Sequence, residues 1–199
     1  MKLLIATRNR HKLDEIRAIL DVPHLDLVSS LDFPEVPDVI EDGTTLEANA
    51  VKKAVELHRA TGLWTIADDS GVEVDALGGA PGVYSARYAG EPCNHANNIA
   101  KMLAELGNRP DRTARFRCVM ALTGPGFPPQ TVEGRIEGRI TLAPRGTGGF
   151  GYDPIFVPDG YDRTFGELDA GTKNRISHRA NALAAARAAW SHILVAAAS

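Results

Sequence analysis

The sequence is poor in cysteine, in aromatic residues and in long apolar runs, and it carries no excess of basic charge. Its two cysteines, Cys93 and Cys118, form no CxxC pair, which argues against a zinc centre and leaves two free thiols as the expectation. Lys and Arg number 22 against 25 Asp and Glu, giving a net charge of −3. With a pI near 6.1, the basic signature of a nucleic-acid binder is missing, although clustered bases can still hold a small polyanion. The first apolar run, Leu3-Leu4-Ile5-Ala6, is far too short for a secretion signal or a membrane span, and no other run approaches spanning length. No membrane partner is expected, and the expected compartment is the cytoplasm.

What is present is an ordinary globular composition, 44% hydrophobic and 24% charged over 199 residues. That length suits a single domain over 1–199, with room for two lobes. No repeat, low-complexity tract or long linker interrupts it.

The organising stretch is Thr65-Ile66-Ala67-Asp68-Asp69-Ser70-Gly71. The apolar residues 63–67 predict a buried strand that stops at two carboxylates. Such a strand end is costly unless the charges meet cations or hydrogen-bond donors. Side chains alternate along a strand, so Asp68 and Asp69 should face opposite sides. Locally, Asp and Ser are also ordinary turn formers.

Residues 2–7 predict the first strand, followed by the polar turn Thr7-Arg8-Asn9-Arg10-His11-Lys12 and a helix with Leu13, Ile16, Ile19 and Leu20 on one face. A strand, polar turn and helix in that order place backbone N–H groups and the positive helix end where an anion can sit. The glycines of a Walker loop are absent. A second helix opens at Gly43-Thr44-Thr45, with Leu46, Ala50, Ala54 and Leu57 apolar and Glu47, Lys52, Lys53 and Glu56 expected in solvent. Glu41 precedes it, either as a dipole-stabilising acid or as an oxygen ligand for a divalent cation.

Further strands are expected at 71–77, 115–122, 131–136 and 138–142, and a helix at 94–107. The later strands read as an antiparallel set, so the sheet should be mixed. The glycine-rich run Gly146 to Pro154 allows close backbone approach to a ligand, and Phe150 and Tyr152 could stack on a flat ring that hydrogen-bonds Asp153. One long helix is expected from about Lys173, with Leu183, Ala186, Trp190, Ile193 and Leu194 apolar and with Lys173, His178 and Arg179 near its start. Cations oppose the dipole there, which favours a binding role for them.

Acids in mid-chain, bases near both ends and a Gly/aromatic loop together suit a nucleoside triphosphate with Mg²⁺, since magnesium takes hard oxygen ligands and Lys and Arg hold phosphate. In combination, Ala6-Thr7-x-Asn9-x-x-Lys12, Glu41-x-Gly43-x-Thr45 with Glu47-x-Asn49-Ala50, Ala67 to Gly71, Leu77 to Arg87, Gly148 to Pro154 and Ser177-His178-Arg179 resemble the inosine/xanthosine triphosphate pyrophosphatase family, also called Ham1-like. The resemblance runs over nearly the whole chain.

It implies an α/β fold: a long mixed sheet flanked by helices, with two lobes around a central cleft, in a homodimer. It implies hydrolysis of aberrant purine nucleoside triphosphates (dITP/ITP, XTP/dXTP) to monophosphate and pyrophosphate, which keeps such bases out of DNA and RNA. In that family's pattern Asp69 is the catalytic acid, binding Mg²⁺ and accepting a proton, and Glu41 is a second metal ligand. Thr7, Arg8, Asn9, Arg10, His11 and Lys12 bind the triphosphate. Ser70, Phe150, Gly151, Tyr152, Asp153, Lys173, His178 and Arg179 contact substrate. The alternatives are a pyrophosphatase for another modified nucleotide, such as a pyrimidine, and a nucleotide-binding regulator without turnover.

Overall fold

The computed structural model describes residues 2–20 and 25–196, with side chains as far as Ile193, so Leu194 lies outside the described side chains. In chain order the elements are β1 (Lys2–Ile5), α1 (Arg10–Ile19), β2 (Asp26–Ser29), α2 (Leu46–Thr61), β3 (Trp64–Val74), α3 (His95–Leu106), β4 (Thr113–Gly124), β5 (Phe127–Ile140), β6 (Phe156–Pro158), α4 (Ala170–Ile176) and α5 (His178–Ala196). Among the described residues six strands form one sheet in the order β2-β1-β3-β4-β5-β6. β1 pairs parallel with β2 and β3, and β5 pairs antiparallel with β6, so the sheet is mixed as expected. Pro125 and Gly126 alone join β4 to β5, a link that only an antiparallel hairpin permits.

The chain forms two compact units. The first comprises Met1–Asp69, Cys118–Gly134 and Arg179–Ser199; the second comprises Ser70–Arg117 and Arg135–His178. The core of the first unites Leu3 and Ile5 of β1, Leu13 and Ile16 of α1, Ile66 of β3, Met120 and Leu122 of β4, and Leu183 and Trp190 of α5. The second packs Val72 and Val74 against Ile99, Met102 and Leu106 of α3 and an aromatic group of Phe116, Phe156 and Phe165.

Three expectations are revised. β3 does not stop at the acids: it runs unbroken through Asp68, Asp69, Ser70 and Gly71 to Val74. β1 pairs with β3 only as far as Ile66, and Ala6 N–H closes the ladder on the Ile66 carbonyl at 2.8 Å. The acids therefore lie just past the carboxyl end of β1, inside a continuing strand. Gly71 permits this continuity, because a Cβ there would stand 2.2 Å from the Gly82 carbonyl oxygen.

The strands expected at 131–136 and 138–142 are one strand, β5. The long C-terminal helix is two helices, α4 and α5, divided at Ser177, which is extended (φ −65°, ψ 159°). Lys173 consequently lies in the last turn of α4, where a cation complements the helix dipole instead of opposing it.

Candidate functional site

Within the first unit, the polar turn 7–12 links β1 to α1. Asn9 is the N-cap of α1: its side-chain carbonyl accepts from His11 N–H at 3.0 Å and Lys12 N–H at 3.3 Å. Its own N–H donates to Thr7 Oγ1 at 3.1 Å. Capping thus fixes the turn and projects Lys12 from the first turn of the helix. Arg10 and His11 are exposed on it.

Lys12 Nζ lies 3.1 Å from Asp68 Oδ2. The same oxygen accepts from Arg179 Nη2 at 3.1 Å, and Arg179 also pairs with Glu15 of α1. Asp68 and Arg179 are buried, at 2% and 0% exposure. Burial works against the Asp68 charge, yet Lys12, Arg179 and Lys53 hold its carboxyl well below the usual carboxylate range. Burial is the largest influence on Lys12 and Arg179 and opposes their charge, but Asp68 together with Asp69 and Cys118 raises Lys12, and Asp68 together with Cys118 and Glu15 raises Arg179. Asp68 Oδ1 is buried with no hydrogen-bond partner among the described residues. Cys118, buried beside this network, has its thiol pushed up to about 12 by burial and by the Asp68 charge, so it is inert.

Asp69 has a different set of partners, as strand alternation requires. Its Oδ2 accepts from Asn49 Nδ2 at 3.1 Å, and Lys53 Nζ lies 3.9 Å from its Oδ1. Lys53 also donates to Glu41 Oε1 at 3.0 Å. Burial raises the Asp69 pKa and Glu41 adds to the rise, while Lys53 and Lys12 oppose it. A carboxylate of raised basicity is the form suited to accepting a proton.

Asn49 and Lys53 stand one helical turn apart on α2, both buried. Asn49 also accepts from Gly43 N–H at 2.8 Å, which fixes the loop behind Glu41. Lys53 was expected in solvent. It falls instead on the stripe Leu46, Ala50, Lys53, Leu57, all buried, whereas Lys52 beside it pairs with Asp42 on the surface. The spacing held that signal, since 46, 50, 53 and 57 are successive positions on one helix face. Asn49 and Glu15 carry no comparable signal in the sequence.

Glu41 and Asp69 therefore present carboxylate oxygens to a single cationic position, now defined by the Lys53 ammonium. That donor set fits a hard divalent cation, which takes one or two carboxylates and completes its shell with water and phosphate oxygens. Among the described residues no group of three or more His, Cys, Asp or Glu forms a cation cage.

In the second unit, Phe150 N–H donates to Asp153 Oδ2 at 2.8 Å, and Lys173 Nζ donates to the same oxygen at 2.5 Å. The Lys173 ammonium lies 4.7 Å from the centre of the Phe150 ring. Gly149, at φ +70°, admits the Asp153 carboxylate where a Cβ would clash with it at 2.0 Å. Gly151 (φ +62°) continues the turn. Phe150 is half-buried, whereas Tyr152 is a core residue whose hydroxyl donates to the Ser85 carbonyl at 2.9 Å. His178 is buried and stacks on Phe116 at 4.7 Å. Ser70 sits on β3, half-buried.

The comparisons agree on one family. The model of the Ham1 family matches residues 3–189. A dITP/XTP pyrophosphatase of Bacillus licheniformis is 52% identical over 92% of this chain and 94% of its own. One from Geobacter sulfurreducens is also 52% identical, over 92% and 93%. Among solved structures, a HAM1 protein from Coxiella burnetii superposes with a TM-score of 0.88 at 40% identity, covering 96% of this chain and 98% of its own. A dITP/XTP pyrophosphatase from Mycobacterium abscessus superposes at 0.77 with 47% identity over 94% and 98%.

Proposed function

Because the chain belongs to the Ham1 family, we propose that it hydrolyses dITP, XTP and related aberrant purine nucleoside triphosphates to monophosphate and pyrophosphate, with Mg²⁺ held by Glu41 and Asp69. The observation that supports this most is the convergence of those two carboxylates on Lys53, in the same unit as the capped turn that bears Lys12. Bound there, Mg²⁺ would neutralise phosphate charge and so lower the repulsion between a triphosphate and the two acids.

In this reading water adds to phosphorus at the α–β bridge, and its proton passes to Asp69 Oδ1, whose basicity burial has raised. The bridging oxygen leaves with pyrophosphate. Lys12 binds phosphate by exchanging its Asp68 partner for an equally anionic one, and the Asp68–Arg179–Glu15 network stays paired while it does so. Thr7, Asn9, Arg10 and His11 complete the anion turn, and Ser70, Gly151 and His178 complete the substrate contacts. Lys173, held between Asp153 and the Phe150 ring, is a preset cation, and the half-buried Phe150 ring suits stacking on a flat base. Tyr152 supports that loop from the core. A site that donates to the 6-oxo group of hypoxanthine or xanthine rejects adenine, whose 6-amino group would meet a donor.

The protein is further proposed to act as a homodimer in the cytoplasm. Among the described residues no helix is long and apolar enough to cross a membrane.

One assay tests the reading: pyrophosphate release from ITP, dITP, XTP, ATP and GTP, with Mg²⁺ and with a chelator. Rapid Mg²⁺-dependent release from the first three is expected. Release from no triphosphate, or from pyrimidine nucleotides alone in a parallel run, would overturn it.

A further inference from the structure

We propose that Arg8 is a positioning residue, a strap that ties the loop bearing Glu41 to the anion turn. Its Nε lies 2.5 Å from Asp38 Oδ1, and its Nη2 donates to the Val36 carbonyl at 2.6 Å and the Phe33 carbonyl at 3.5 Å. One guanidinium thus engages three residues of one loop, a geometry that needs the planar fork of arginine.

The loop needs such an anchor. Residues 33–45 contain no helix or strand. Pro34 and Pro37 have no N–H to donate, Asp38 is exposed, and Ile40 is 74% exposed despite its apolar side chain. At its far end the loop is fastened to α2, through Asp42 to Lys52, Glu41 to Lys53 and Gly43 to Asn49. At its near end the fastening is Arg8. Arg8 lies between Thr7 and the capping residue Asn9, so the strap couples the turn that carries Lys12 to the segment that delivers Glu41. An exposed ion pair alone contributes little; the charge-assisted bonds to main-chain carbonyls are what fix the loop. With these donors engaged, Arg8 acts on substrate through Glu41 and not by direct phosphate contact.

The inference rests on the proposed role of Glu41, so its test includes a readout independent of turnover. Amide hydrogen exchange over residues 33–42 is measured in the free protein for wild type, Arg8→Ala, Arg8→Lys, Asp38→Ala and the Arg8/Asp38 double variant. Steady-state kinetics with ITP are run alongside, with Mg²⁺ titrated. Arg8→Ala should speed exchange in the loop, lower kcat/KM roughly tenfold through misplacement of Glu41, and raise the half-saturating Mg²⁺ concentration. Arg8→Lys, which keeps the charge but lacks the fork, should fall short of wild type. Asp38→Ala should reproduce part of the loss, and the double variant should be no worse than Arg8→Ala. Unchanged exchange with a raised KM for ITP and a silent Asp38→Ala would make Arg8 a phosphate ligand and overturn the proposal. Faster exchange with wild-type kinetics would overturn it equally. If the wild type turns over no triphosphate, it is the functional reading that fails, and the exchange data still decide whether the strap exists.

Discussion

The Lys53 ammonium sits 3.0 Å from Glu41 Oε1, holding a loop carboxylate to the buried face of α2. Because Lys53 also lies 3.9 Å from Asp69 Oδ1, it fixes the position of one acid and opposes the rise that burial gives the pKa of the other. Lys53→Met should therefore lower turnover by about 100-fold, in the range seen when a preorganised electrostatic group is removed. In the proposed mechanism activity depends on deprotonated Asp69, so it should rise with pH through the Asp69 pKa. Lys53 holds that pKa down, and its loss should move the acidic limb of the pH–rate profile to higher pH. A pH profile of kcat/KM for the variant and wild type checks both statements.

Asp69→Asn should remove the proposed proton acceptor while keeping a side chain that fits the same space. Turnover is expected to fall at least about 100-fold, with the thermal midpoint within a few degrees of wild type. Pyrophosphate release and a melting curve on the same sample provide the check.

Asp68→Asn should behave differently, because Asp68 is the shared counterion of Lys12 and Arg179. Removing one partner of a buried ion group costs about 3–5 kcal/mol, so this variant should lose stability more than Asp69→Asn does. The folded Asp68 pKa is depressed below its unfolded value of 3.8, so its stabilisation is present above that value and is lost as pH falls below it. Urea titrations at pH 7 and pH 3 should show wild-type stability falling more steeply than that of the variant.

Gly71→Ala should destabilise the protein without touching a charged group. The new methyl would meet the Gly82 carbonyl oxygen at 2.2 Å and Ser85 Oγ at 2.9 Å, so backbone must shift. Overpacking of this kind costs about 1–3 kcal/mol, or roughly 2–4 °C per kcal/mol in a chain of this size. A thermal melt checks it.

Local patterns were legible along the chain wherever they depended on neighbours in sequence. The apolar runs predicted β1 and the start of β3, the i, i+3, i+4 spacing predicted α1, α2 and α3, and strand alternation predicted that Asp68 and Asp69 would part company. Patterns that depend on distant chain were not legible. Nothing local announces that β3 continues through two acids, because the continuation needs Gly82 to approach Gly71. Helical spacing places Lys53, and not Lys52, on the apolar face of α2, but no local pattern names the acids it meets there: Glu41 and Asp69 reach it only through the fold.

The sequence by itself determined where most strands and helices begin, the mixed sheet and the inventory of carboxylates, cations and glycines from which a phosphate-handling site can be built, since propensity and periodicity act over a few residues. The tertiary structure alone decided the pairings: Lys12 and Arg179 with Asp68, Lys53 with Glu41 and Asp69, Arg8 with the loop at 33–38. Ion pairs and pKa values depend on distances through space and on burial, and neither is written in the order of residues along a chain.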